Sequence, residues 1–132
     1  MARRGEGIII RDAHFPGRAP IESYGEGGFR FAGMSHRGSI LCLPSGIYGW
    51  SPAMPADLTA EAFEKVFTEA SDIEVLLIGT GRDLRPIGAE LRQLFREAGI
   101  MVDSMATGAA VRTLNVLLSE DRGVAAALLA VD

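Results

Sequence analysis

The sequence predicts an α/β domain in which an N-terminal antiparallel meander precedes a βαβαβ unit. Three observations carry this. The run Ile73–Ile78 is apolar on both sides after Glu74 and ends in Gly79-Thr80-Gly81, the pattern of a strand covered on both faces that turns into a helix. Apolar stripes at helical spacing flank it, Ala62, Phe63, Val66, Phe67 and Ala70 before, and Ile87, Leu91, Leu94, Phe95 and Ala98 after. Upstream of Pro55 the apolar segments are short and punctuated by glycine and proline, as in hairpins.

Taken in order, residues 1–5 form a terminus without regular structure. Ile8, Ile9 and Ile10 are β-branched and predict a first strand over Gly7–Arg11. Ile21–Tyr24 forms a short strand, and Gly25-Glu26-Gly27-Gly28 a tight turn. No Lys-Ser/Thr and no helix pattern follows these glycines, so they are not a phosphate-binding loop. Phe29–Ala32 alternates as a half-buried strand, Gly33–His36 turns, and Arg37–Leu43 returns with Leu41 and Leu43 facing away from Ile40 and Cys42. Ile47–Trp50 adds an aromatic strand before the rigid Ser51–Pro55 connector.

A helix then starts with Thr59 as N-cap and ends at Ser71-Asp72. After the Gly79–Gly81 turn, Pro86 fits the first turn of a second helix, and Gly99 the left-handed position that closes it. Ile100–Val102 is a short strand ending at Asp103. Thr107 caps a third helix with the stripe Ala110, Val111, Leu114, Leu117, Leu118. Val124–Val131 suits a strand or a short helix by length. Gly123, and the need of the preceding helix for a sheet to return to, favour the strand.

Composition bounds the function. The 132 residues suit one domain, 1–132, and 48% apolar content supplies a full core. A net charge of −4 gives no nucleic-acid footprint. No apolar run reaches the roughly 18–20 residues of a membrane span, and the start shows no signal or transit segment. The single Cys42, inside an apolar run, reads as an inert core thiol in a reducing cytoplasm. His14 and His36 sit in separate loops with no ligand-spaced partner, which leaves no metal site and no assignable Ser-His-Asp set.

Chemistry converges at one place. The turns Gly79–Gly81 and Ser104–Gly108 follow the carboxyl ends of neighbouring strands, where open α/β sheets place their crevice. The candidate crevice residues are Gly79, Thr80, Gly81, Arg82, Thr107 and Asn115, with helix N-termini and arginine favouring an anion. A dinucleotide fingerprint is incomplete, because Leu84 stands where a third glycine belongs. Asn115 either fixes loop backbone beside the crevice or lies on the surface. Tyr48 and Trp50 are core, crevice wall or partner surface, the last because Trp and Tyr are favoured anchors.

The ordered set Leu77-Ile-Gly-Thr-Gly81, Leu84-x-Pro86, Ala98-Gly-Ile100-x-Val102-Asp103-x-Met105-x-Thr107, Ala110-x-x-Thr113-x-Asn115-x-Leu117 and Glu120-x-Arg122-x-Val124-Ala-Ala-Ala-Leu128, with Tyr48-Gly-Trp50 upstream, resembles the Mth-type domain family. That family includes a mitochondrial respiratory complex I assembly factor. The resemblance covers most of the chain and departs at Leu114, where an aromatic is expected. It implies a single three-layer domain with a mixed sheet, no catalytic residue and no cofactor. It also implies a non-enzymatic role, helping a respiratory complex assemble through contacts with its subunits or assembly proteins. A homodimer stays open. The alternative is a small anionic-ligand binding protein or enzyme that uses the crevice.

Overall fold

The computed structural model describes residues 14–132; the strand expected over Gly7–Arg11 lies outside them. Among the described residues a six-stranded mixed sheet and a three-stranded antiparallel sheet share one chain. The strands are β1 (His14–Pro16), β2 (Ile21–Gly25), β3 (Gly28–Phe31), β4 (Met34–Arg37), β5 (Ser39–Leu43), β6 (Gly46–Trp50), β7 (Val75–Gly79), β8 (Met101–Met105) and β9 (Val124–Leu128). The helices are α1 (Glu64–Thr68), α2 (Ala89–Glu97) and α3 (Thr107–Ser119). The large sheet runs β1-β6-β5-β9-β7-β8, antiparallel as far as β9 and parallel from β9 through β7 to β8; the small one runs β2-β3-β4.

Period-2 alternation sorts the large sheet's side chains into two cores. Ile40, Cys42, Leu77, Ala126 and Leu128 meet Val111 and Leu114 of α3 and Phe29 and Phe31 of β3. Leu41, Leu43, Leu76, Ile78, Ala125 and Ala127 meet Phe63, Val66, Leu91 and Phe95 on the other face. The result is three layers: α3 with the small sheet, the six-stranded sheet, and α1 with α2. Phe95 anchors the second core, edge-on to Phe63 at 5.1 Å and stacked on Phe67 at 4.9 Å, with none of its surface exposed. Such aromatic pairs add roughly 0.5–1.5 kcal/mol beyond burial. β9 tolerates three alanines because, buried between β5 and β7, it gains from pairing on both edges.

Several boundaries differ from expectation, each for a local reason. Arg37–Leu43 is not one strand: Gly38, at φ +99°, ends β4 and sends the chain into the other sheet as β5. The expected turn at Gly33–His36 is mostly β4 itself, and the reversal falls at Ala32-Gly33 (φ 50° and 74°), the left-handed pair of a two-residue hairpin loop. Glu26-Gly27 (φ 53° and 80°) makes the same kind of turn between β2 and β3. His14 and His36 lie in strands rather than loops, and His36 is buried.

The helix expected from Thr59 is broken into a 3-10 turn at Glu61–Phe63, the five-residue α1, and another 3-10 turn at Ala70–Asp72. Its stripe still packs as predicted, and the Thr59 hydroxyl accepts the Ala62 N–H at 3.3 Å. Pro86 is not in the first turn of α2. That helix starts at Ala89 with extended Gly88 as its cap, and Leu94 is 39% exposed rather than buried. Gly99 adopts φ +79° after the Ala98 cap, as expected of a helix end. β8 runs on to Met105, so Asp103 is mid-strand and not a strand end.

Candidate functional site

The parallel register Ile78↔Ser104 and Gly79↔Met105 brings the carboxyl ends of β7 and β8 level, so the two glycine- and threonine-bearing turns meet on one rim. They are laced together. The Thr107 N–H donates to the Gly81 carbonyl at 2.8 Å, and the Gly81 N–H donates back to the Thr107 hydroxyl at 3.0 Å. That hydroxyl donates in turn to the Leu129 carbonyl at 2.8 Å, and the Leu129 N–H reaches the Gly79 carbonyl at 2.9 Å. The Thr80 N–H donates to Met105 at 2.9 Å. The Thr80 hydroxyl donates to the Asp83 carbonyl at 2.7 Å and accepts the Arg85 N–H at 2.9 Å.

This geometry fixes what the rim residues do. Thr80 and Thr107 are 2% and 0% exposed, and their hydroxyls satisfy buried backbone groups. Thr107 is not the N-cap of α3; extended Ala106 is, and Thr107 is the first helical residue with its side chain turned to the neighbouring loop. Gly79 is closely packed: a Cβ would stand 3.0 Å from both the Thr107 Cα and the Leu128 Cδ2, so a side chain there would push its neighbours aside. Gly81 needs its φ of +101°. Arg82 and Arg85 are exposed beside this lacing. The first turn of α3 is covered at Gly108 by the Tyr24 hydroxyl, which occupies the place a Cβ would take. The Ser104 hydroxyl is buried with no hydrogen-bond partner.

Asn115 does not reach this rim. It lies two turns along α3, and its amide is spent on β2, accepting the Ile21 N–H and donating to the Ile21 carbonyl, both at 2.9 Å. Of the two readings open in the sequence, fixing backbone is what it does, but the backbone is that of β2. Nothing in the spacing of the chain could have named Ile21 as the partner, 94 residues away.

Tyr48 and Trp50 sit on β6, both half-buried against the α1–α2 core. The Trp50 indole donates to the Ala62 carbonyl at 2.7 Å and meets Phe63 edge-on at 5.3 Å, so it braces the helical connection. Tyr48 stacks on His14 at 5.0 Å, with the Lys65 ammonium 4.4 Å from the ring centre. Its hydroxyl meets the Ser45 hydroxyl at 2.6 Å, and Ser45 also donates to Glu69. This strip of aromatic, cationic and anionic groups lies at the surface. Cys42 is buried, and desolvation pushes its thiol up to about 12, which leaves it unreactive at neutral pH. Leu114, where an aromatic is expected, is 1% exposed and lines a cavity of about 10 Å³ with Cys42, Ile47 and Leu118. Among the described residues no group of His, Cys, Asp or Glu is placed to hold a metal ion, and no helix is long and apolar enough to cross a membrane.

Comparison with known proteins agrees with this architecture. Residues 21–129 match the family model described as protein of unknown function (DUF498/DUF598). A Bartonella henselae structure, described as an outer membrane protein, superposes with a TM-score of 0.87 at 61% identity, covering 90% of this chain and 100% of that one. A Bordetella pertussis structure described as a Mth938-like domain superposes at 0.76 with 28% identity, covering 85% of each chain. An uncharacterized Rhodobacter capsulatus protein is 38% identical over 119 residues, 90% of each chain. Mouse NADH dehydrogenase [ubiquinone] 1 alpha subcomplex assembly factor 3 is 30% identical over 122 residues, 92% of this chain, which spans 66% of that relative's length. With a matching model over most of its length and the same fold in its relatives, the chain belongs to the DUF498/DUF598 family of Mth938-like domains.

Proposed function

We propose that this protein is a non-enzymatic, cytoplasmic protein-interaction module that assists assembly of a respiratory complex, binding its subunits or other assembly proteins. The observation that carries this reading is the similarity to the NADH dehydrogenase assembly factor along 92% of the chain. Because the match runs through both sheets and α3, it includes whatever surface the shared domain presents.

The rim chemistry supports the same reading. The Thr80 and Thr107 hydroxyls are buried and engaged with backbone, Thr80 with Asp83 and Arg85 and Thr107 with Gly81 and Leu129, so neither is presented to a ligand at the rim. For the partner surface we favour the strip around Tyr48, whose ring contacts both His14 and Lys65. A partly exposed aromatic held rigid by its neighbours loses little entropy on binding.

Deletion of the gene, followed by native-gel separation of the respiratory complexes, tests the proposal. Stalled NADH dehydrogenase subassemblies are expected, rescued by the wild-type gene and poorly by Tyr48→Ala. Normal levels of mature complex in the deletion strain would refute it.

A further inference from the structure

The outer face of the small sheet carries a second feature, independent of the assembly role. A hollow of about 440 Å³ opens over β2, β3 and β4, within the range of roughly 300–1,000 Å³ that small-molecule sites occupy. The register shows which residues border it. Ser23, Arg30 and Ser35 form one cross-strand row; Gly25, Gly28 and Arg37 form the next row on the same face. The row between them, Tyr24, Phe29 and His36, alternates to the opposite side, where Phe29 joins the core. Of the two glycines in the second row, Gly25 leaves open space, whereas a Cβ on Gly28 would meet the His36 carbonyl of β4; an arginine stands in each row.

The polar groups suit an anion. Arg30 is held by two neighbours: its Nη1 donates to the Ser35 hydroxyl at 3.0 Å, and its Nε faces a Glu22 carboxylate oxygen at 3.5 Å. A guanidinium carries five N–H donors, so most of those on Arg30 stay available in a fixed orientation. Arg37 makes no side-chain hydrogen bond or ion pair among the described residues, and the Ser23 hydroxyl shares that wall. Glu26 also borders the hollow and Glu22 pairs with Arg30, so the positive charge left for an anion is that of Arg37, with the Arg30 fork and the Ser23 hydroxyl as further donors.

We infer that this hollow binds a small oxyanion, a carboxylate or phosphate monoester, with Arg37 as its principal charge and Arg30 as a pre-oriented second donor. Guanidinium groups match both oxyanions, because each presents paired oxygens to the planar fork.

The test is a titration of the full chain at constant ionic strength, in one arm with inorganic phosphate and in the other with citrate, followed by backbone amide NMR shifts. Saturable shifts confined to residues of β2, β3 and β4 are expected in at least one arm; the arm that saturates at lower concentration identifies the oxyanion. Arg37→Ala should weaken the binding about tenfold or more, the loss of one charge-assisted contact. Arg112→Ala, which removes an exposed arginine from α3, should leave it unchanged. Both arginines are surface groups, so the variants' spectra can be checked for the native fold first. Shifts that never saturate, shifts spread over all the arginines, or equal weakening in the two variants would each overturn the assignment.

Discussion

Asn115 stands in for a strand neighbour of Ile21: one side-chain amide takes both the N–H and the C=O of that residue, each at 2.9 Å, and ties the edge of the small sheet to α3. Ile21 is 3% exposed, so neither backbone group has water to fall back on. Asn115→Ala is expected to cost about 2–4 kcal/mol, the penalty for two buried groups left unpaired. Asn115→Asp, which keeps the acceptor and loses the donor, should also destabilise. Urea unfolding followed by the fluorescence of Trp50, the only tryptophan, measures both. A loss under 0.5 kcal/mol for the alanine variant would contradict this role.

The Thr107 hydroxyl joins two strand ends at once, through Gly81 and Leu129. Thr107→Val preserves shape but orphans a donor and an acceptor. It should destabilise by about 2–3 kcal/mol, whereas Thr107→Ser, which keeps the hydroxyl, should cost less than about 1.5 kcal/mol. A larger loss for Thr107→Ser than for Thr107→Val in thermal unfolding would show that the methyl group, not the hydroxyl, matters.

Ala32 holds φ at 50°, a left-handed conformation that costs a β-carbon roughly 1 kcal/mol. Asn is better suited to such a hairpin loop. Ala32→Asn should therefore stabilise the protein by about 0.5–1 kcal/mol, seen as a higher urea midpoint at unchanged slope.

Cys42 gives a pH dependence with a definite sign. Burial raises its folded-state pKa from 9.0 to about 12, so between those values the unfolded chain releases the thiol proton and the folded chain keeps it. Its contribution is fully present below pH 9 and is lost as pH rises. From pH 8 to pH 10 the wild type should lose about 1.4 kcal/mol more stability than Cys42→Ala, which lacks the thiol. Parallel stability curves for the two proteins over that range would exclude the mechanism.

Local sequence rules go far in this chain. Much of both cores is legible, because the faces of β5, the two-sided apolar run of β7 and the stripes on the helices name most of their members, Leu94 excepted, without any knowledge of partners. Boundaries set by backbone conformation are less so. Ala32 turns the chain although alanine is no turn residue, because pairing of β3 with β4 on both sides compels it. Gly38 looks like one more residue of a strand, and only its φ of +99° reveals the change of sheet.

The sequence by itself determined the α/β class, the antiparallel-then-parallel order, the buried thiol and the meeting of the Thr80 and Thr107 turns, because periodicity and glycine punctuation act over a few residues. Only the tertiary structure decided that those hydroxyls are spent on backbone, that Asn115 serves β2, and that Arg30 and Arg37 overlook a hollow. The Thr107 and Asn115 bonds join groups 22 to 94 residues apart, and hydrogen bonds of that reach leave no mark in local spacing; the hollow depends on the register and curvature of three paired strands, which spacing does not give either.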